Sequence, residues 1–342
     1  MASADQLKAL VKSHIDRDDG QFYSVAMQVA AHEAKVGHGK LAEELRDLID
    51  AAKARGPGSP ANLVPLARPR GDLANLLHVS YPKSRLVDMV LDAQVEEQLE
   101  RIMKEQRLNA RLRDHGLSPR RKLLLVGPPG TGKTMTASVL AGELGIPLFL
   151  VRLDALITKF MGETAAKLRQ VFDAIAEVRG VYFFDEFDAI GSQRGLANDV
   201  GEVRRILNSF LQMIEHDQSN SLIIAATNHP EILDYALFRR FDDVIEYHMP
   251  SPSQATGLVR SRMGNYAPRP FPAKAVSEKV AGLSYAELRR AVDEAIKDAV
   301  MHDEAKITVA ALNRALSERR RLSEKLKHND LAGKHGGSTG SR

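Results

Sequence analysis

The 342-residue chain contains neither cysteine nor tryptophan. Without cysteine it can form no disulfide and no thiolate-bound metal site, which fits a reducing compartment. Apolar runs are also short. None approaches the roughly 20 residues that span a bilayer, and Met1 to Leu10 lacks the apolar core of a secretory signal. The expectation is a soluble cytoplasmic protein with no membrane partner. The formal net charge is only +4, and its placement weakens a nucleic-acid reading. Between Ser317 and Arg342 seven Lys/Arg face Glu318, Glu324 and Asp330, so this stretch alone supplies the whole surplus of four. Such an end reads as a solvated tail. A nucleic-acid partner is disfavoured, though not excluded, on this ground.

What the chain does contain is Gly127-Pro128-Pro129-Gly130-Thr131-Gly132-Lys133-Thr134. The apolar run Leu123 to Val126 leads in, and a helix-compatible segment from Met135 to Leu144 leads out. Strand, glycine-rich loop and helix start together are what a phosphate-binding loop requires. Glycines let backbone N–H groups turn toward phosphate oxygens, and the helix presents its unpaired first-turn donors to the same anion. Lys133 would reach the β and γ phosphates, and the Thr134 hydroxyl is placed to ligate Mg²⁺.

Around this point the chain reads in order. Residues 1 to 55 carry amphipathic patterns and form a small helical module suited to docking. His32-Glu33 lacks the second histidine of H-E-x-x-H, since Val36 stands there, so His32 and His38 read as structural or surface residues. Residues 56–74, rich in Pro and Gly, read as a linker. Residues 75–249 alternate short apolar runs (123–126, 146–151, 181–184, 222–226, 244–247) with helix-patterned segments. They predict an α/β, three-layer sandwich with a five-stranded, mostly parallel sheet. Helix patterns alone fill 250–320, a small lid domain, and residues 321–342 are expected to be a basic disordered tail.

Three further constellations fall where ligands of such sheets bind, beyond the strands' carboxyl ends. Val181 to Phe184 is an apolar strand ending in Asp185-Glu186, 52 residues after Lys133. One carboxylate can orient a metal's water shell while the other polarises an attacking water. The strand through Ala225-Ala226-Thr227 ends in Asn228, able to bridge a γ phosphate and that water. Capping a turn before Pro230 is the blander use of Asn228, and both can hold. Arg239-Arg240 follows eleven residues later; alone it would be ordinary surface charge, but an arginine reaching a neighbouring subunit's phosphates is worth about 10³ to 10⁵ in rate in NTPases. Phe160-Met161-Gly162 reads as an aromatic-apolar loop tip between Lys159 and Glu163, suited to gripping a substrate chain.

Together GPPGTGKT (127–134), FFDEFDAIG (183–191), ATN (226–228) and RRFD (239–242) resemble the AAA subgroup of the AAA+ ATPases over roughly residues 75 to 315. The resemblance implies that Gly127 through Met135, with Asp185, contact ATP, that Thr134 and Asp185 hold magnesium, and that Glu186 activates water. It further implies that Asn228 senses the γ phosphate, that Arg239 and Arg240 act across subunits, and that copies assemble into a homo-oligomeric ring, usually a hexamer, with Phe160-Met161-Gly162 as the pore loop drawing in a protein substrate. Two departures stand out. Val90-Leu91 replaces a glycine pair beside the adenine, and Gly282-Leu283-Ser284-Tyr285-Ala286-Glu287-Leu288 carries Tyr285 and Glu287 where the lid motif G-x-S-G-A-D-L has glycine and aspartate. Whether Arg289 or Arg290 meets nucleotide is open. The core resembles that of AAA proteases but carries no H-E-x-x-H, so any proteolysis would belong to another protein. The stretch around Phe22 to Ala26 and Gly37 to Lys40 is similar to small bacterial AAA ATPases paired with subtilisin-like serine proteases in plasmid-maintenance and phage-defence modules. A DNA-handling motor and a nucleotide-switched assembly module remain as rival readings.

Overall fold

A run of apolar residues becomes a buried parallel strand only when both of its faces are covered, and that requirement organises the larger part of this chain. The computed structural model describes residues 19–35, 38–54, 69, 71, 73–156, 161–187, 200–232 and 238–335. It divides the chain into one unit from Met1 to Leu66 and another from Ala67 to Arg342.

The first unit is a helical hairpin of α1 (Asp19–Lys35) and α2 (Gly39–Ala54). Val29, Ala30, Ala42 and Ile49 are buried between them. Glu33 is buried as well and shares a 2.7 Å hydrogen bond with Nδ1 of His38, so this histidine ties the helix junction together. The part of this expected module that precedes Asp19 lies outside the described residues.

The second unit opens with a short α3 (Leu73–Leu76) running into β1 (Leu77–Ser80). Next come α4 (Ala93–Arg107) and the single-turn α5 (Asn109–Asp114), then β2 (Lys122–Val126) and α6 (Lys133–Leu144). The chain continues through β3 (Leu148–Val151), α7 (Leu153–Leu156), α8 (Met161–Glu177), β4 (Val181–Phe184), α9 (Val200–His216), β5 (Leu222–Thr227) and β6 (Asp243–Glu246). The sheet order is β1-β3-β4-β5-β2-β6. All pairings are parallel except β1 with β3. The five expected strands are present, joined by β1 at one edge, whose four residues Leu77-His78-Val79-Ser80 are too short and mixed to announce a strand.

Alternation along β2 shows how the layers arise. Leu124 and Val126 face a core built with Leu168, Phe172, Phe210 and Ile214 of α8 and α9. Leu123 and Leu125 face the opposite core, with Leu99 and Ile102 of α4 and Ala137 and Leu140 of α6. A third core belongs to the lid, formed by α10 (Pro252–Met263), α11 (Ala273–Lys279), α12 (Tyr285–Met301) and α13 (Val309–His335). Part of the segment from 321 expected as a tail is helical among the described residues. The lid's last helix runs on to His335, because the segment is rich in the helix formers Arg, Leu, Glu and Lys and places Arg320 one turn before Glu324, 3.0 Å apart. No helix among the described residues is long and apolar enough to cross a membrane.

Two buried phenols set a pH limit on this core. The Tyr182 hydroxyl donates to the carbonyl oxygens of Ala174 and Val178, and that of Tyr247 lies 2.5 Å from Thr136 Oγ1. Burial raises both well above the ordinary tyrosine range. The unfolded chain ionises its tyrosines near pH ~10 while these two stay protonated in the fold, so stability is intact below that pH and falls above it, by about 1 kcal/mol per tyrosine at pH ~11. Urea unfolding should show this fall, and a Tyr182→Phe/Tyr247→Phe variant, though weaker at neutral pH, should show a smaller one.

Candidate functional site

The loop after β2 is shaped by what presses on it from both sides. Gly127 and Gly130 have φ of +142° and +77°. A Cβ on Gly127 would lie 2.2 Å from the Tyr247 carbonyl oxygen, and one on Gly130 would lie 2.7 Å from Ser284 Oγ. Only glycine satisfies both the backbone angle and the space at these positions. The loop delivers α6, whose first residue, Lys133, is buried. Its ammonium donates to the carbonyl oxygens of Gly127 (2.6 Å) and Pro128 (2.9 Å) and to Oδ1 of Asn228 (2.8 Å). The Thr131 hydroxyl donates to Pro128 O at 2.8 Å, closing the loop on itself. Lys133 thus joins the β2 loop to the end of β5, a link invisible in the separate motifs.

At the end of β4, Asp185 Oδ2 accepts a 2.9 Å hydrogen bond from Thr134 Oγ1, and Asp185 Oδ1 accepts the backbone N–H of Glu186. Glu186 has φ +50°, rare for a residue with a side chain. Fully buried aromatics hold the chain on both sides: Phe184 lies 5.1 Å and Phe187 4.6 Å from Phe210 by ring centroids. Burial of each ring contributes about 2 to 3 kcal/mol, which exceeds the roughly 1 to 2 kcal/mol cost of a left-handed glutamate. The exposed Glu186 carboxylate is therefore held out from the sheet end by anchors on either side.

These groups share one cleft of about 820 Å³. Pro129 through Met135, Asp185, Glu186 and Asn228 line it, while Gly127 and Pro128 support it through the Lys133 ammonium. The lid closes one side. Its backbone N–H at Ala286 donates to Gly130 O at 3.1 Å, and Ser284 caps α12 in a reciprocal box with Glu287. Tyr285 and Arg289 line the cleft, and Arg290 is not among the lining residues. The Tyr285 phenol is raised by burial first and then by the nearby Asp92 carboxylate. The lid motif thus reaches the cleft despite its two departures, with Glu287 taking up the capping of Ser284.

Arg239 and Arg240 do not line the cleft of their own chain. Arg240 Nε donates to Glu215 Oε2 at 2.9 Å, and Asp242 in the same run accepts the backbone N–H groups of Arg121 and Lys122 at the start of β2. Phe160 lies outside the described residues. Met161 and Gly162, expected in a loop, begin α8.

Thr134 and Asp185 fit a magnesium ion by their donor chemistry: two hard oxygen donors on adjacent elements, one of them a carboxylate, at the edge of an open cleft with room for water to complete a shell.

The sequence model described as "ATPase family associated with various cellular activities (AAA)" matches residues 123–249. The AAA family ATPase y4kL of Sinorhizobium fredii is 36% identical over 321 residues, 94% of this chain and 96% of that protein. The ATP-dependent zinc metalloprotease FtsH 3 of Sphaerobacter thermophilus is 32% identical over 253 residues, 72% of this chain and 52% of the protease. Protein SAV of Sulfolobus acidocaldarius is 36% identical over 191 residues, 54% of this chain and 24% of its own length. The chain therefore spans nearly all of the Sinorhizobium relative but only about half of the FtsH 3 protease.

The segment leading into Val90-Leu91, which the resemblance set beside the adenine, brings Asp88, Met89 and Val90 to the cleft, but motif reading missed what anchors it. Its anchor is Gly142 in α6, where a Cβ would fall 2.3 Å from the Ser84 backbone oxygen; the Arg85 guanidinium donates to Gly142 O, and Glu143 accepts from Leu86 N. A lone glycine inside a helix pattern was the available signal. Gly142→Ala should cost about 1 to 2 kcal/mol net and weaken nucleotide binding by about threefold or more as the segment shifts. Gly257→Ala, at an exposed position of α10 with open space around it, should instead gain up to about 1 kcal/mol. Urea unfolding and titration of a fluorescent ATP analogue check both.

Proposed function

The chain belongs to the AAA family of ATPases and hydrolyses ATP, and from that premise we propose that it is a magnesium-dependent, ring-forming motor that remodels or threads a protein in the cytoplasm. The observation that carries this reading is the convergence of the phosphate loop, Asp185-Glu186 and Asn228 on one cleft that the lid also touches. An energy-consuming motor needs this coupling, because a change at the phosphates then bears on a movable domain.

In this proposal the loop amides and Lys133 hold the triphosphate, and Thr134 and Asp185 hold magnesium, whose charge would neutralise the phosphate oxygens. Glu186 takes a proton from the attacking water, for which its exposed carboxylate at the cleft edge is suited. Asn228, already bonded to Lys133, exchanges that contact for the γ phosphate and so reports its presence. Arg239 and Arg240, lying away from their own cleft, act in a neighbouring copy. Met161 and Gly162, at the amino end of α8, together with Phe160, belong to the substrate-gripping loop. The zinc proteases similar to this chain are named as ATP-dependent, which supports a protein as the substrate of the ATP-driven work. A subtilisin-like serine protease is the partner suggested by the resemblance of the stretches Phe22 to Ala26 and Gly37 to Lys40, and we assign residues 1–55, which contain them, to docking.

ATP turnover per subunit, measured against protein concentration, tests the shared site. Turnover should rise with concentration, and mixing wild type with Arg240→Ala should lower the rate beyond simple dilution, since an arginine in trans is worth about 10³-fold or more. Turnover indifferent to both would remove the ring and the threading mechanism.

A further inference from the structure

We propose that the aromatic ring of Tyr285 is the platform on which the base of the nucleotide lies, so that the lid holds the base directly. The inference rests on the reading of the cleft as an ATP site and does not depend on the ring of subunits.

The lining of the cleft falls into two groups. Lys133, Thr134, Asp185 and Asn228 are tied together by hydrogen bonds at the ends of β4 and β5, which suits a triphosphate. Val87, Met89, Val90, Leu258 and Tyr285 supply an apolar stretch of wall. A nucleotide whose triphosphate is held by the first group has its flat, apolar end left for the second. Tyr285 has a particular place in that wall. Together with Val90 and Thr131 it lines both the cleft and a narrower hollow bounded by Leu91, Asp92 and Met249, so it belongs to the partition between the two spaces.

The side chain is half-buried and lacks the partners that other buried tyrosines have. Tyr182 stacks on Phe149 with ring centroids 4.4 Å apart and donates to two carbonyl oxygens, and Tyr247 meets Thr136. Among the described residues Tyr285 has neither a ring contact nor a hydrogen bond. Its backbone, by contrast, is fixed on both sides. A Cβ on Gly130 would lie 2.7 Å from Ser284 Oγ and 3.1 Å from the Ala286 Cβ, and the Ala286 N–H donates to Gly130 O. Ser284 is in turn locked to Glu287, which accepts from both its N–H and its hydroxyl. The ring is therefore rooted on the phosphate loop and loses little freedom when a base meets it. Burial, and then the Asp92 carboxylate, hold the phenol protonated, so it adds no negative charge beside an anionic ligand. Where the resembling lid motif has glycine, with no side chain to stack, this chain carries a ring. Stacking a base on an aromatic side chain typically raises affinity about five- to a hundredfold, and it tolerates any base because each has a π face.

Calorimetric titration of the full chain with ATP and with inorganic triphosphate, which has neither base nor ribose, tests the assignment. Tyr285→Ala, which puts a strong helix former at the first position of α12, should bind ATP about tenfold more weakly and triphosphate within about twofold of wild type. Tyr285→Phe, which keeps the ring, should bind both within about threefold of wild type. Because the chain has no tryptophan, tyrosine emission can be read directly. ATP, and not triphosphate, should quench it in wild type, and most of that quench should vanish in Tyr285→Phe although ATP still binds. Equal weakening of both ligands in Tyr285→Ala would make the side chain a brace of the lid and overturn the assignment, as would ATP binding unchanged by Tyr285→Ala. A wild-type chain that binds neither ligand would overturn the ATP reading of the cleft itself.

Discussion

Everything at the site depends on how closely other backbone can approach the loop between β2 and α6. Tyr247 presses on Gly127 from the start of the lid connection, and the cap of α12 presses on Gly130 from above. The loop is thereby clamped between the sheet and the lid, and any shift in its path when phosphate binds must be felt at Ser284 and Ala286. No hinge far from the chemistry is needed to connect the two domains. The contact includes a backbone hydrogen bond and a van der Waals surface, each of which is weak enough singly to be broken and remade.

The carboxyl ends of β4 and β5 solve a different problem. A parallel sheet buried on both faces has nowhere to place charge except at its ends, so Asp185, Glu186 and Asn228 appear where the apolar strands stop. The cost is local backbone strain at Glu186, borne by the aromatic cluster of Phe172, Phe184, Phe187 and Phe210. Lys133 then draws two of these elements together: its ammonium cannot be buried without acceptors, and Asn228 supplies one of them.

Much of this was legible from the residues in order. Leucine- and isoleucine-rich runs bounded by Gly, Asp and Asn gave five strands, and the phosphate loop needed only its own eight residues to be read. What the sequence concealed depends on contacts between distant segments. β1 exists because β3 offers it an edge, not because Leu77 to Ser80 alternate convincingly. The Lys133 to Asn228 bond spans 95 positions, and the reach of Ser84 over Gly142 spans 58. The helix to His335 was hidden for another reason: its basic composition reads as a solvated tail, while its propensity is helical. Tyr285, where the related motif has glycine, left the lid's contact undecided until the N–H of Ala286 was placed on Gly130.

In the function proposed for this cleft, binding and bond cleavage are divided between two groups, Lys133 holding the triphosphate and Glu186 activating water. The most direct measurement is calorimetric ATP binding alongside single-turnover hydrolysis for Glu186→Gln and Lys133→Ala. The prediction is that Glu186→Gln binds ATP within about threefold of wild type while hydrolysis falls by about 10² or more, and that Lys133→Ala loses binding itself. Glu186→Gln hydrolysing ATP at nearly the wild-type rate, or Lys133→Ala binding as tightly as wild type, would contradict that division.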